Sequence, residues 1–335
     1  MTPAFEARAS QRDDTPAISV VVPTFRRPEL LDRCLRALLA QDLPPATYEI
    51  VVADDGPSRV TRRLLARLQD PHGPRLRYVP VTATQGPAAA RNQGWRAARA
   101  PVVAFTDDDT VPDRGWLKAG LQALAGGAAA ATGRVVMPLS DPPTDYERNE
   151  SGLTRAEFVT ANCFVTKAAL QEVGGFDERF KVAWREDSDL QFALISRALP
   201  IVPAPRAMVV HPVRPAPRGV SLRQQRKVMY DALLYKKWPG LYRQHIRAHT
   251  RWDYLAATGS LVVASVAGLL GARRVAWTAG ACWAGYTLAF CAIRLRGTSR
   301  APAHVADMLV TSALIPPVSM FWRVAGALRF GSRLP

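Results

Sequence analysis

The run VVAFTDDDTVPDRGW, residues 102–116, carries an apolar segment into three adjacent aspartates, Asp107, Asp108 and Asp109. Adjacent ionised carboxylates repel one another, and each is costly beside an apolar interior unless a cation or a donor compensates it. Aspartate is common in solvated turns, so the place of the run in the fold decides between a turn and a site. Carboxylate oxygens are hard ligands that suit Mg²⁺ or Mn²⁺, ions that commonly complete their shell with substrate phosphates. A second acidic pair, Asp54-Asp55, also ends an apolar stretch and offers acceptors for a base or a ribose. A third run, Glu186-Asp187-Ser188-Asp189, opens a helical pattern. The helix dipole stabilises acids in a first turn, and a carboxylate there can also act as general base for an attacking hydroxyl. Arg91, in AAARNQGW, supplies a planar fork matched to phosphate oxygens. Phe25 supplies a face for a base to stack on, beside Arg26 and Arg27.

These groups act together only if the scaffold gathers them. Residues 18–22, 49–53 and 102–106 are short β-branched runs, with a weaker one at 76–81, and helical patterns fill 28–41, 58–69 and 86–99. Such alternation predicts an α/β fold with a parallel sheet covered on both faces. Ligands bind outside the carboxyl ends of parallel strands. Pro23, Thr24, Phe25 and Arg27 after the first strand, Asp54 and Asp55 after the second, and Asp107–Asp109 after the fourth should therefore converge. The first strand lacks a GxGxxG turn, which speaks against a dinucleotide site. Beyond residue 125 the pattern predicts strands at 131–137, 159–166 and 207–211, helices at 167–173 and 186–199, and a loop at 174–185. Asp107-x-Asp109-x-Val111 also satisfies the DxDx(T/V) signature of haloacid-dehalogenase-type phosphotransferases, but it follows the fourth strand here, not the first.

The net charge of +16 is concentrated late: residues 216–335 hold 17 of the 44 basic residues and only three acids, Asp231, Asp253 and Asp307. Two uncharged runs, 254–272 and 275–293, approach the ~20 residues needed to span a bilayer. They are rich in Gly and Ala, as helices packed in lipid are. This predicts a transmembrane hairpin over 253–294, preceded by basic, aromatic interfacial helices over 216–252. A third apolar segment within 304–330, interrupted by Pro316-Pro317, reads as a kinked span, a re-entrant segment or an interfacial helix. The basic flanks place both hairpin ends in the cytoplasm, against the Arg273-Arg274 turn. The charge therefore points to a membrane, and no nucleic acid partner is expected. Residues 1–17 read as a flexible tail without a signal-peptide core. The four scattered cysteines indicate neither disulfides nor zinc.

In their order, VVVPTFRRPELLDRCLRALLAQ, EIVVADDG, GPAAARNQGWRAA, VVAFTDDDTVPDRGWL, GGFDERF and WREDSDL resemble family-2 glycosyltransferases of the GT-A fold, over about residues 18–215. The resemblance implies a nucleotide-diphosphate sugar donor, a divalent metal (Mn²⁺ or Mg²⁺) and inversion at the anomeric carbon. Carried over by position, Pro23, Thr24, Phe25, Arg27, Asp54, Asp55, Arg91, Asp107 and Asp108 belong to the nucleotide-sugar site. Asp109 is then the direct metal ligand with Asp107 nearer the ribose, Asp187 in the Glu186-Asp187 pair is the catalytic base, and His211 is a further metal-facing or structural group. The QxxRW motif of processive synthases is absent, which implies transfer of a single sugar. The expected acceptor is a hydroxyl of a membrane lipid or lipid-linked glycan, with the enzyme at the inner membrane and its catalytic domain facing the cytoplasm. A polyprenyl-phosphate acceptor, already ionised, would need Asp187 less. A non-catalytic protein of the same fold is the remaining alternative.

Overall fold

The computed structural model describes residues 15–335, so most of the expected 1–17 tail lies outside the described residues. Its last residue is tied down: the Ala17 amide donates to the Thr47 carbonyl at 2.8 Å. The strands are β1 (Ile18–Thr24), β2 (Tyr48–Asp54), β3 (Arg75–Pro80), β4 (Val102–Thr106), β5 (Val111–Pro112), β6 (Ala130–Val136), β7 (Asn162–Thr166) and β8 (Ile201–Val210). They form one sheet in the order β3-β2-β1-β4-β7-β6-β8-β5. Six strands share one direction, while β5 and β7 run against them. The sheet is therefore mostly parallel rather than wholly so. Register decides where the acids meet: Thr24 lies opposite Asp54, and Val21 opposite Phe105. The ends of β1, β2 and β4 thus reach one edge together.

Helices α1 (Pro28–Leu39), α2 (Arg59–Leu68) and α3 (Pro87–Ala97) cross between the parallel strands. Leu31, Leu35, Leu38, Leu64 and Leu65 fill one face of the sheet, and Ala88, Trp95, Phe105 and Phe176 fill the other. Each fully buried Leu or Phe stabilises by about 1.5–3 kcal/mol. The small residues of α3 let it approach β1 closely: a Cβ at Gly94 would lie 2.3 Å from a Val21 methyl. That approach carries Arg91 under the sheet edge, where it is buried.

Beyond β5 come α4 (Trp116–Leu124), α5 (Asp145–Glu150), α6 (Lys167–Val173) and α7 (Glu186–Ser196). β5 and α4 were not predicted from the sequence, because a two-residue strand and a nine-residue helix carry little periodicity. α5 starts with a capping box in which Thr144 and Glu147 satisfy each other's backbone amides. α6 ends at Gly174, and the expected 174–185 loop holds no helix or strand.

The basic aromatic segment forms α8 (Val220–Gln224), α9 (Met229–Lys237) and α10 (Pro239–His245), with the expected break before Pro239. Part of its aromatic surface is taken up by packing against the rest of the protein. Tyr230 and Tyr242 are buried, with Met229, Leu233 and Leu234, against Phe180 and Phe192 of the sheet-bearing part of the chain. α11 (Trp252–Leu269) and α12 (Arg273–Leu295) form the hairpin, closed by Gly271 at φ +73°. At 1.5 Å per residue they are about 27 and 34 Å long, close to the ~30 Å hydrocarbon thickness. The third apolar segment is one 29-residue helix, α13 (Pro302–Phe330), continuous through Pro316-Pro317. All three are long and apolar enough to cross a membrane. Cys34, Cys163 and Cys291 are buried thiols, whereas Cys282 is exposed.

Candidate active site

The strand ends open into a cleft of about 1110 Å³. A pocket for one small molecule spans roughly 300–1,000 Å³, so this cleft has room for two reactants. Pro23, Thr24, Phe25, Arg27, Asp55, Arg91, Asp107, Asp108, Asp109, Glu186, Asp187 and His211 all line it. Among the predicted site residues, Asp54 does not. Its carboxylate is fully buried and accepts from the Gly56 and Ser58 amides and the Tyr78 hydroxyl at 3.0–3.2 Å. Those bonds close the turn from β2 into α2. Asp55 faces the cleft, and both its oxygens accept from the Gly86 amide at 3.0 Å. Burial raises its pKa against that bond. The Phe25 ring is 47% exposed at the mouth.

The three aspartates after β4 have different partners. Asp107 accepts from Arg91 at 2.8 Å. Asp108 is buried, accepts from the Thr24 hydroxyl at 2.8 Å and lies 3.4 Å from Arg27. Burial pushes it up to about 6, against the Thr24 bond. Asp109 lies 3.1 Å from Arg214 and 3.5 Å from His211 Nε2. One oxygen each from Asp107 and Asp109 and a ring nitrogen of His211 fall within 4.8 Å of one another. His211 Nδ1 is buried without a hydrogen-bond partner. Two carboxylates and an imidazole are a donor set suited to Mn²⁺, so these residues fit a divalent cation.

Across the cleft, α7 begins after Arg185, held in the left-handed region at φ +75°. Glu186 is buried and accepts from Arg91 Nη1 at 3.0 Å. Arg91 therefore bridges the two sides; burial opposes its charge, but Asp107 and Glu186 outweigh that and hold its pKa high. Asp189 accepts from Lys237 and Trp238 at 2.7–2.8 Å. Asp187 Oδ1 accepts from the Ser188 amide at 2.7 Å, whereas Oδ2 has no partner among the described residues. Burial raises the pKa of Asp187.

Several cleft residues were not singled out from the sequence: Arg214, Lys181, Trp184, Arg185, Lys227, Glu157 and His245. Arg214 had a signal of sorts, a cation three residues past the histidine that follows β8. Lys227, Glu157 and His245 had none, because they reach the cleft from separate elements.

Known proteins share this fold. The profile of Glycosyl transferase family 2 matches residues 19–180, and that of Glycosyl transferase family group 2 matches residues 102–325. Glycosyltransferase AglE of Haloferax volcanii is 29% identical over 48% of this chain and 56% of its own length. The GalNAc(5)-diNAcBac-PP-undecaprenol beta-1,3-glucosyltransferase of Campylobacter jejuni is 34% identical over 28% of this chain and 30% of its own. The chain spans about half the length of curated relatives such as AglE. In fold it resembles the mannosyltransferase PcManGT from Pyrobaculum calidifontis, solved in complex with GDP-Man and Mn²⁺. The TM-score is 0.56 at 19% identity, covering 95% of this chain and 88% of that one. Carboxylates gathered at the ends of parallel strands, a GT-A fold around them and profiles running from residue 19 to residue 325 lead to one assignment: the chain belongs to glycosyltransferase family 2.

Proposed function

We propose that this glycosyltransferase is inverting and metal-dependent, and moves one sugar from a nucleotide-diphosphate donor to a hydroxyl of a membrane lipid or lipid-linked glycan. Residues 18–215 form the catalytic domain, anchored on the cytoplasmic side of the inner membrane by the 253–294 hairpin. The observation that carries this reading is that Asp187, with no hydrogen bond at Oδ2 among the described residues, lines the same cleft as the Asp107-Asp109-His211 cluster.

Asp187 Oδ2 takes the proton of the acceptor hydroxyl as its oxygen attacks the anomeric carbon. The bond from that carbon to the diphosphate breaks, and its electron pair leaves on the diphosphate oxygen. Attack from the face opposite the leaving group inverts the centre. Asp107, Asp109 and His211 would hold the divalent ion, whose charge stabilises the leaving diphosphate when bound. Phe25 and Asp55 receive the nucleoside, and Arg91 fixes Asp107 and Glu186 in place. The PP-undecaprenol in the Campylobacter relative's name and the Mn²⁺ in the PcManGT complex support the acceptor and metal classes. A DxD nucleophile of the haloacid-dehalogenase type fits poorly, since Asp107 is engaged by Arg91.

The test is a donor panel on detergent-solubilised protein with extracted membrane lipids, with and without Mn²⁺, read by mass spectrometry. One added sugar on a lipid-soluble product, only with the ion, is expected. Metal-dependent donor binding without any transfer would favour a non-catalytic role. Full transfer by Asp187→Asn would favour an ionised polyprenyl-phosphate acceptor.

A further inference from the structure

α13 is apolar enough to span a bilayer, yet both of its ends are bound to the catalytic domain or to the helices docked on it. Near its start, Asp307 accepts from the Gly219 amide at 2.9 Å, and just before it the Ser299 amide donates to Pro143 at 2.8 Å. At its end, Lys236 Nζ of α9 donates to the Phe330 carbonyl at 2.7 Å, and Trp322 and Phe330 pack with Phe180 and Tyr230. A spanning helix would separate its ends by the ~30 Å hydrocarbon core. Two ends bound to one folded domain lie on one side.

The polarity of the helix is also reversed relative to a soluble one. Thr311, Ser312, Ser319 and Arg323 are buried on its inner face. Arg294 of α12 donates to Thr311, Ser312 and Asp145 at 2.7–3.0 Å, and Arg323 lies 3.4 Å from Asp231. The outer face carries Val310, Leu314, Phe321, Val324 and Leu328, each 42–79% exposed. The inner face also meets the base of the hairpin, where the buried Ile315 and Met320 pack with Tyr254 and Phe290. Arg218, Arg223, Arg226, Arg329 and Arg333 lie on α13 or the segments packed beside it. None of them has an ion-pair partner among the described residues.

We propose that α13 lies in the plane of the membrane interface. Its outer stripe meets the acyl-chain boundary and the flanking arginines meet anionic phospholipid headgroups, while its polar face clamps the catalytic domain. This rests on the membrane reading of the hairpin. It also sets the cleft at the lipid surface. Arg323 joins Asp231, which holds Trp184 and Arg185 next to Glu186. Lys227 of the cleft sits in the turn packed against α13. An acceptor with a lipid tail then reaches Asp187 without leaving the bilayer.

The test uses the full chain with Cys282→Ala, reconstituted in vesicles containing phosphatidylglycerol, with retained donor binding as the folding control. Leu314→Cys, Phe321→Cys and Leu328→Cys each carry an environment-sensitive fluorophore, with Val262→Cys of α11 as the deep reference. Lipids bearing quenchers at shallow or deep positions should place all three α13 sites at one shallow level, about 5–10 Å into the interface, and Val262 deep. An impermeant maleimide should label Ser332→Cys and Arg63→Cys of the catalytic domain from the same side. Labelling from opposite sides, or a depth gradient through the bilayer centre, overturns the proposal in favour of a third span. Water-exposed α13 sites with a deep Val262 overturn it while leaving the membrane reading intact; a water-exposed Val262 defeats both. Replacing phosphatidylglycerol by phosphatidylcholine should cut shallow quenching at Leu328 by about twofold or more, and unchanged quenching overturns the anionic part.

Discussion

At the end of β4, Asp107, Asp108 and Asp109 face two arginines of the cleft rim, a buried arginine and a histidine. At the start of α7, Glu186, Asp187 and Asp189 face the same buried arginine, a lysine, one tryptophan and one backbone amide. The first cluster concentrates negative charge on partners that exchange readily, since the Arg27 and Arg214 side chains are 39% and 48% exposed. The second disperses its charge onto fixed partners and leaves two oxygens without a hydrogen bond among the described residues, the buried Glu186 Oε2 and Asp187 Oδ2. Concentrated carboxylates suit a cation; carboxylates that burial holds above their ordinary pKa, as at Glu186 and Asp187, suit a proton. Arg91 touches both clusters and keeps them in one geometry.

Removing the Asp187 carboxylate should have the largest effect. Asp187→Asn is expected to lower the transfer rate by about 10²–10⁴-fold, while calorimetry finds donor affinity unchanged; loss of both would erase the distinction between the clusters. Asp109→Ala should lower donor affinity in Mn²⁺ by about 100-fold, equivalent to ~2.7 kcal/mol, and change metal-free binding little. Equal losses with and without the ion would show that Asp109 meets the donor directly. Asp189→Asn should cost about 1.5–3 kcal/mol of stability, the worth of hydrogen bonds to a charged group, visible as a lower Tm at an unchanged rate per folded molecule. A lost rate at an unchanged Tm would move the base from Asp187 to Asp189.

The smallest effect is one of pH. A proton acceptor works only when ionised, and burial raises the Asp187 pKa above the ordinary aspartate value of about 3.9. As pH falls, kcat/KM should therefore decline at a higher pH than an exposed aspartate would give, and recover as pH rises. Asp189→Asn should keep that acid limb, and its disappearance there would break the assignment.

Much of this arrangement is readable from residue types, because the signals are local. β-branched runs alternating with amphipathic patterns mark β1, α1, β2 and α2, and strand ends are where ligands gather in such sheets. Asp55 and Asp107–Asp109 reach the cleft for that reason. Asp54 looked equivalent to Asp55, but strand side chains alternate in direction, and its oxygens turn to the Gly56 and Ser58 amides. The third donor, the Tyr78 hydroxyl, comes from β3 and has no local signal. α9 read as interfacial for a similar reason: cations beside aromatics describe a lipid surface and a docked helix alike, and Phe180 and Phe192 come from elsewhere in the chain.

Residue order and polarity were enough to establish the family, the acidic runs, the late positive charge and the two membrane-length runs, since these depend on neighbours in sequence. They could not say which acid stays free, because that depends on Arg91, Lys237 and Trp238 arriving from other elements. Nor could they orient α13. Hydropathy sums over all sides of a helix, whereas the Asp307, Arg323 and Phe330 contacts depend on which side meets the protein. Long-range packing, not composition, separates a helix that crosses lipid from one that lies along it.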